Sequence, residues 1–362
     1  MNERAIDVLI VDDSEVVRML LEHLLEGDPR LRVAGSVGGG EAALEFMAKE
    51  APHVVLMDIH MEGMDGFEVT RRIMETRPVP IVMCSGVSDP RAVATVFRAY
   101  EAGAVAVVEK PAAFGHPRHE CLARELVDTV RLMSEVRVVR RWPRDRHAPS
   151  TPSPGTVARA AVAGRTGRAA RMVGIGASTG GPPALQTLLG SLPKDFPAPI
   201  LVVQHITAGF LPGLAEWLGQ TTPLQVQIAS HGMDPRPGHV YLAPDDFHLG
   251  VDPDGRIQLT REPAKNGLRP AVDHLFRSLS ECCGTEAIGV LLTGMGRDGA
   301  RELKAMRDRG GKTLVQDQAS SVVHGMPGAA IAIGAADQVL PIERIADALR
   351  RIVADKKSGV RT

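Results

Sequence analysis

From Ile6 to about Arg140, short apolar runs alternate with amphipathic stretches. The alternation predicts strands at Val8 to Val11, Arg32 to Val37, Val54 to Met57, Ile81 to Cys84 and Val105 to Val108, with helices between and after them. Five such repeats predict a doubly wound parallel sheet. The periodicity then stops. The stretch RRWPRDRHAPSTPSPGTVARAAVAGRTGRAAR is rich in Pro, Ser, Gly, Ala and Arg and has no apolar period, so it reads as a linker. A second alternation begins at Arg171, with strands expected at Met172 to Ile175, Ile200 to Val203, Val240 to Leu242, Ile288 to Leu292 and Thr313 to Val315. Helices are expected at Val272 to Cys283 and Arg301 to Arg309. The fold class is therefore α/β in two domains, 1–140 and 171–362, each a doubly wound, mostly parallel sheet, joined by a basic linker over 141–170.

A chain of 362 residues is long enough for two full cores, and a net charge of −1 gives no global reason to expect nucleic acid or an anionic membrane as partner. Between Arg131 and Arg171 ten arginines face two acids, which we read as solvation of the linker. No run is long enough to span a bilayer, and MNERAIDVLIVDD is too short in its apolar part for a secretory signal, so a cytoplasmic protein is expected. Cys84, Cys121, Cys282 and Cys283 show neither C-x-x-C nor zinc spacing and are expected to be reduced, with Cys84 buried in a strand.

Candidate chemistry gathers at strand ends. In the first domain Asp12 and Asp13 follow the first strand and Asp58 follows the third, and a doubly wound sheet brings those ends together. Three converging carboxylates call for a cation, and an all-oxygen set suits Mg²⁺. Ser85 and Lys110 close the fourth and fifth strands, adding a hydroxyl and an ammonium that can hold a phosphoryl group on a carboxylate. With "VDD", "MD" before "GMDG", "CSG" and "EKP", this half resembles the response-regulator receiver domain over its whole length, a flavodoxin-like fold. The resemblance implies that a histidine kinase phosphorylates Asp58, that Asp12, Asp13 and Asp58 bind Mg²⁺, that Ser85 is the switch hydroxyl and that Lys110 contacts the phosphate. It also implies a cis Lys110–Pro111 peptide. Two positions depart from the receiver pattern: Glu62 replaces a usual Pro, and Val107 replaces an aromatic that many receivers turn inward as a switch.

In the second domain "GIGASTGGPPAL" (174–185) admits two readings, a phosphate cradle or a nucleophile turn. G-x-G-x-x-G fails because Gly180 comes one residue late, whereas Gly176 to Gly180 satisfies G-x-S-x-G, which puts Ser178 on a sharp strand-to-helix turn. Such serines also serve as simple caps, so a base is needed. "PILVVQHI" ends a strand at His205, one βα unit beyond Ser178, and "IGVLLTGMGRDG" leads from a buried strand into a glycine loop holding Asp298. His231 and His239 fall in a Pro/Gly loop, while His248 and His274 stay open as rivals. The spacing alone leaves a Ser, His, Asp triad and a capping serine both standing.

The segments "IGASTGGPPAL", "VQHI", "GHVYLAP", "LLTGMGRDGA" and "QDQASSVVHGMP" resemble the catalytic domain of CheB-type chemotaxis protein-glutamate methylesterases, and receiver, linker, catalytic domain is that family's order. The resemblance implies Ser178 as nucleophile, His205 as base and Asp298 as its orienting acid. Thr179 and Met295 would lie beside the site, the latter's backbone as a candidate oxyanion donor. His324 stands where the family tends to have an aromatic. The implied reaction is phosphorylation-activated hydrolysis of glutamate methyl esters on methyl-accepting chemotaxis receptors, with methanol as product and glutamine deamidation as a second activity. Ester hydrolysis would need no cofactor, and neither nucleic acid nor membrane insertion is expected. The alternatives are a non-catalytic regulator that drains kinase phosphate and binds receptors, and an esterase of small molecules; a binding module would need none of the three triad residues.

Overall fold

The computed structural model describes residues 5–85, 98–111, 113, 115–136, 138, 171–206, 209–265 and 267–354. The linker expected over 141–170 lies outside the described residues, as does the side chain of Ser85.

The first domain holds β1 (Ile6–Val11), β2 (Leu31–Val37), β3 (Val54–Asp58), β4 (Ile81–Ser85) and β5 (Ala106–Glu109), with α1 (Glu15–Glu26), α2 (Gly40–Lys49), α3 (Gly66–Thr76) and α4 (His119–Met133). The strands form one parallel sheet in the order β2-β1-β3-β4-β5. Alternate residues of each strand feed opposite faces: Leu9, Val11, Val55 and Met57 enter one core cluster, Val8, Ile10, Val54 and Leu56 the other. α1 starts where Ser14 Oγ accepts from Val17 N–H, and α3 where Asp65 accepts from Glu68 N–H.

The second domain is wider than its clearest apolar runs. Its parallel seven-stranded sheet has the order β14-β13-β12-β6-β7-β9-β8, with β6 (Met172–Ala177), β7 (Ile200–Gln204), β8 (Gln225–Ile228), β9 (His239–Leu242), β12 (Ala287–Leu291), β13 (Lys312–Gln316) and β14 (Gln338–Leu340). An antiparallel pair, β10 (His248–Val251) with β11 (Ile257–Thr260), stands apart. The helices are α5 (Gly181–Gly190), α6 (Leu211–Thr221), α7 (Val272–Cys283), α8 (Ala300–Asp308), α9 (Gly325–Ala332) and α10 (Ile342–Ala354). Strand β8 and edge strand β14 escape the periodicity because they are short and half exposed.

The glycines of "GIGAS" serve packing. A Cβ at Gly174 would lie 2.5 Å from Leu279 Cδ1 and one at Gly176 2.3 Å from Val272 Cγ1, so α7 lies directly on β6 only because both positions lack side chains.

The two domains touch. Tyr100 packs against a core cluster of the second domain, Glu101 accepts a 2.8 Å hydrogen bond from Trp217 Nε1 of α6, and Val322 and Val323 pack against the receiver core. Burial pushes the Tyr100 hydroxyl up to about 12. Among the described residues no helix is long and apolar enough to cross a membrane.

Candidate active site

Each domain places its polar residues where its sheet reverses strand order, the crevice that this architecture leaves open at the carboxyl ends of the strands. In the first domain the reversal lies between β1 and β3. Ligand oxygens of Asp12, Asp13 and Asp58 there lie within 4.8 Å of one another. Lys110 Nζ, just past β5, sits 2.7 Å from Asp12 Oδ2 and 2.8 Å from Asp58 Oδ1. Burial raises the Asp58 carboxyl above its ordinary value, and the Lys110 hydrogen bond only partly offsets it. Burial opposes the charged form of Lys110 as well, but Asp12 and Asp58 outweigh it and leave the ammonium raised. Three hard oxygen ligands sharing one cation are the donor set Mg²⁺ requires, so the residues fit that ion.

Glu62 takes up a role at this rim: its backbone N–H donates to Asp13 Oδ2 at 3.1 Å. The expected cis Lys110–Pro111 peptide is absent; among the described residues the cis bond is Arg269–Pro270. Trans is the default for X-Pro, and Lys110 reaches both carboxylates from it. Ser85 ends β4 on the same rim, opposite Glu109 in the ladder. Val107 is half-buried against the receiver core, and the aromatic residues Tyr100 and Trp217 stand at the domain boundary.

In the second domain the reversal lies between β6 and β12. Ser178 follows β6, and its backbone is fixed from three sides: its N–H donates to Thr293 O at 3.0 Å, while its carbonyl accepts from Gly181 N at 2.7 Å and Gln204 Nε2 at 2.8 Å. The following Gly180 has φ +76°, which completes the sharp turn into α5. His205 follows β7 and ties its N–H to Ala177 O at 2.9 Å, which sets it beside the Ser178 turn. Its Nε2 lies 3.1 Å from Asp298 Oδ2.

Asp298, 4 % exposed, also accepts from the N–H groups of Val272 at 2.7 Å and Asp273 at 3.0 Å, the first turn of α7. Burial works to raise its pKa, yet the adjacent His205 and these two N–H groups outweigh it and hold the carboxyl below its ordinary value. The Asp298 carboxyl therefore stays ionised although buried, helped by the helix N-terminus. Since Nε2 faces Asp298, Nδ1 is the ring nitrogen turned elsewhere.

The structure thus brings His205 and Asp298 into direct contact and sets Ser178 on the neighbouring strand end. Thr179 turns its carbonyl inward, accepting from Thr293 Oγ1 at 3.0 Å. The N–H groups of Thr293 and Gly294 are committed to Gln316 Oε1 and Val323 O. The next donor along the loop belongs to Met295, whose side chain is 53 % exposed. His324 caps α9 beside this loop, where it bridges Gly294 in parallel pairing.

Three supporting residues carry no sequence signal. Gln204 Nε2 bonds the Ser178 and His205 carbonyls together, at 2.8 Å each. Thr293 is fully buried and joins the nucleophile turn to Val323. Gln316, also fully buried, orients Thr293 and reaches Ser320. They read as ordinary strand-end polar residues until the fold places them under Ser178. His248 and His274 resolve as structure: their rings stack at 4.7 Å in the core between β10 and α7. His248 Nδ1 accepts from Ala271 N–H at 3.2 Å.

Comparison with known proteins covers the same two parts. The CheB methylesterase family model matches residues 173–349, and the response regulator receiver domain model matches residues 8–118. A protein-glutamate methylesterase/protein-glutamine glutaminase of Nitrosospira multiformis is 50% identical over 351 residues, covering 97% of this chain and 98% of its own length. One of Geobacter metallireducens is 51% identical over 352 residues, covering 97% of this chain and 100% of its own. The crystal structure of the Thermotoga maritima CheB methylesterase catalytic domain is 41% identical, with a TM-score of 0.49, covering 51% of this chain and 98% of that one.

Proposed function

The chain belongs to the protein-glutamate methylesterase/protein-glutamine glutaminase family, and from that premise we infer that Ser178, His205 and Asp298 are its catalytic triad. The protein is a hydrolase that removes methyl esters from protein glutamates and deamidates protein glutamines, under control of its phosphorylated receiver domain. The observation that carries the site assignment is the contact of His205 Nε2 with a buried, ionised Asp298 at the strand end beside Ser178.

Ser178 Oγ attacks the ester carbonyl while His205 Nδ1 takes the hydroxyl proton. The Met295 N–H is the donor we assign to the developing oxyanion. The imidazolium, held by Asp298, returns the proton to the departing methoxide, and methanol leaves. Water then attacks the acyl-enzyme, His205 takes its proton and returns it to Ser178 Oγ, and a glutamate carboxylate is released. With a glutamine side chain the first leaving group is ammonia.

We assign residues 1–140 to the receiver, 141–170 to the linker and 171–362 to the catalytic domain. Asp58 is the phosphoacceptor, a chemotaxis histidine kinase the phosphodonor, and methyl-accepting chemotaxis receptors the substrates. Asp12, Asp13 and Asp58 would hold Mg²⁺, which would supply the charge neutralisation that phosphorylation of a carboxylate needs; Ser85 and Lys110 would bind the phosphoryl oxygens. The phosphoryl group adds a charge of about −1.5 to −2 at the receiver rim. The contacts of Tyr100 and Glu101 with the catalytic domain, and of Val322 and Val323 with the receiver core, support a receiver that restrains the site until then. The cytoplasm is the compartment we assign.

The test is methanol release from methylated receptor membranes by the full chain, with and without acetyl phosphate and Mg²⁺. Release that rises with the phosphodonor and vanishes in Ser178→Ala supports the reading. Release that survives in Ser178→Ala sinks it.

A further inference from the structure

Behind the triad lies a patch of three buried carboxylates, Asp273, Asp298 and Glu302, of which the reaction as written uses one. Glu302 is paired with Arg277 at 2.7 Å and faces Arg301 at 3.8 Å. Asp298 meets His205 and the first N–H groups of α7. Asp273, the second residue of α7, sends its carboxyl out of its own helix: Oδ1 accepts from the N–H of Gly299 at 3.1 Å. Gly299 follows Asp298 and caps α8 with φ +86°. The two aspartates therefore hold each other's backbone, Asp298 gripping Asp273 N–H while Asp273 grips the residue after Asp298.

An acid in the first turn of a helix commonly serves the helix dipole from solvent. Asp273 does something else, since it is 4 % exposed and bonds another element. Burial, then the charges of Asp298 and Glu302, push its carboxyl above the ordinary value, against the Gly299 N–H and Arg301. A second carboxylate next to Asp298 is thus an electrostatic cost that asparagine would avoid while offering the same acceptor. What a negative charge gives there and an amide does not is support for the positive imidazolium that forms as His205 takes the serine proton.

We propose that Asp273 is a positioning residue of the hydrolytic site: its carboxyl fixes the loop that presents Asp298 to His205, and its charge backs that pair. The inference rests on the triad reading. The charged groups acting on it are Asp298 and Glu302 with Arg301 on the α8 side, and Arg277 on its own helix.

The experiment compares Asp273→Asn and Asp273→Ala in the full phosphorylated chain, reading kcat, KM and the acid limb of kcat/KM for methanol release. The isosteric asparagine keeps the Gly299 acceptor and should lower kcat a few-fold at unchanged KM, with the acid limb displaced to lower pH because a negative charge beside the pair is gone. Alanine should show the same displacement and lose on the order of tenfold more in kcat. An asparagine variant with native kcat and a native acid limb overturns the proposal, and does so even if the alanine variant fails to fold. An alanine variant no slower than the asparagine one overturns the loop-holding part. Ser178→Ala and His205→Gln run in the same assay separate the two readings: if either retains turnover, the triad is at fault; if both are dead and asparagine is native-like, Asp273 alone is misassigned.

Discussion

Asp58 and Asp298 are the same side chain at the same topological place, one in each domain, and their environments push them in opposite directions. Asp58 is raised by burial that one shared ammonium does not fully offset, with Asp12 and Asp13 beside it. Asp298 is lowered, because an imidazole and two N–H groups at a helix start meet its charge. The first site is left short of positive charge, the deficit a bound cation would relieve. The second has its charge met within the chain. The two sites thus differ in whether a group from outside is needed to balance them.

The largest expected effect separates them fully. Ser178→Ala should lower kcat by on the order of 10³ or more while phosphate incorporation at Asp58 is unaltered. Loss of both together would mean that the two sites are not independent.

Asp58→Asn reverses the cut: stimulation of methanol release by acetyl phosphate should fall to a ratio of about 1. Stimulation that persists would place the phosphoacceptor elsewhere.

A third measurement sharpens what keeps the acid side set. Burial, then the charge of His248, holds His274 neutral and takes it from 6.5 to about 4. The unfolded chain takes up this proton as pH falls through 6.5, and the fold does so only near 4. Stability is therefore full above that window and falls across it as the pH drops, by on the order of 3 kcal/mol. His274→Phe keeps a ring against His248 and should flatten the unfolding free energy over that window; an unchanged slope would remove His274 as its source.

The smallest effect concerns the tie between the regions. Trp217→Phe removes the donor to Glu101 and keeps the ring in the core, so basal methanol release should rise roughly two- to tenfold and the stimulation ratio should drop accordingly. A variant with native basal rate would show that this contact does not hold the receiver in place.

The chain displays much of this in its order of residues, and the part it conceals has a physical pattern. The strands of both sheet centres are buried on two faces and so read as continuous apolar runs, which is why Val8, Val54, Val173 and Ile288 fall where expected. β8 and β14 are edge strands, half exposed and short, and carry no such run. Ser178, His205, Asp298 and the receiver carboxylates were legible because strand ends bring distant positions together by topology alone. Gln204, Thr293, Gln316 and Asp273 were not, because their partners are backbone groups whose placement depends on turn geometry. The glycines at 174 and 176 carried a double meaning that only the helix packed on them resolves.

Val322 and Val323 pack against the receiver core on one side, while on the other a Cβ at Gly180 would lie 2.4 Å from Val322, so Val322 faces both domains at once. A catalytic fragment freed of the receiver would carry these two apolar side chains bare beside Ser178. Such a fragment should self-associate as its concentration rises, so the deregulated form would limit its own working solubility.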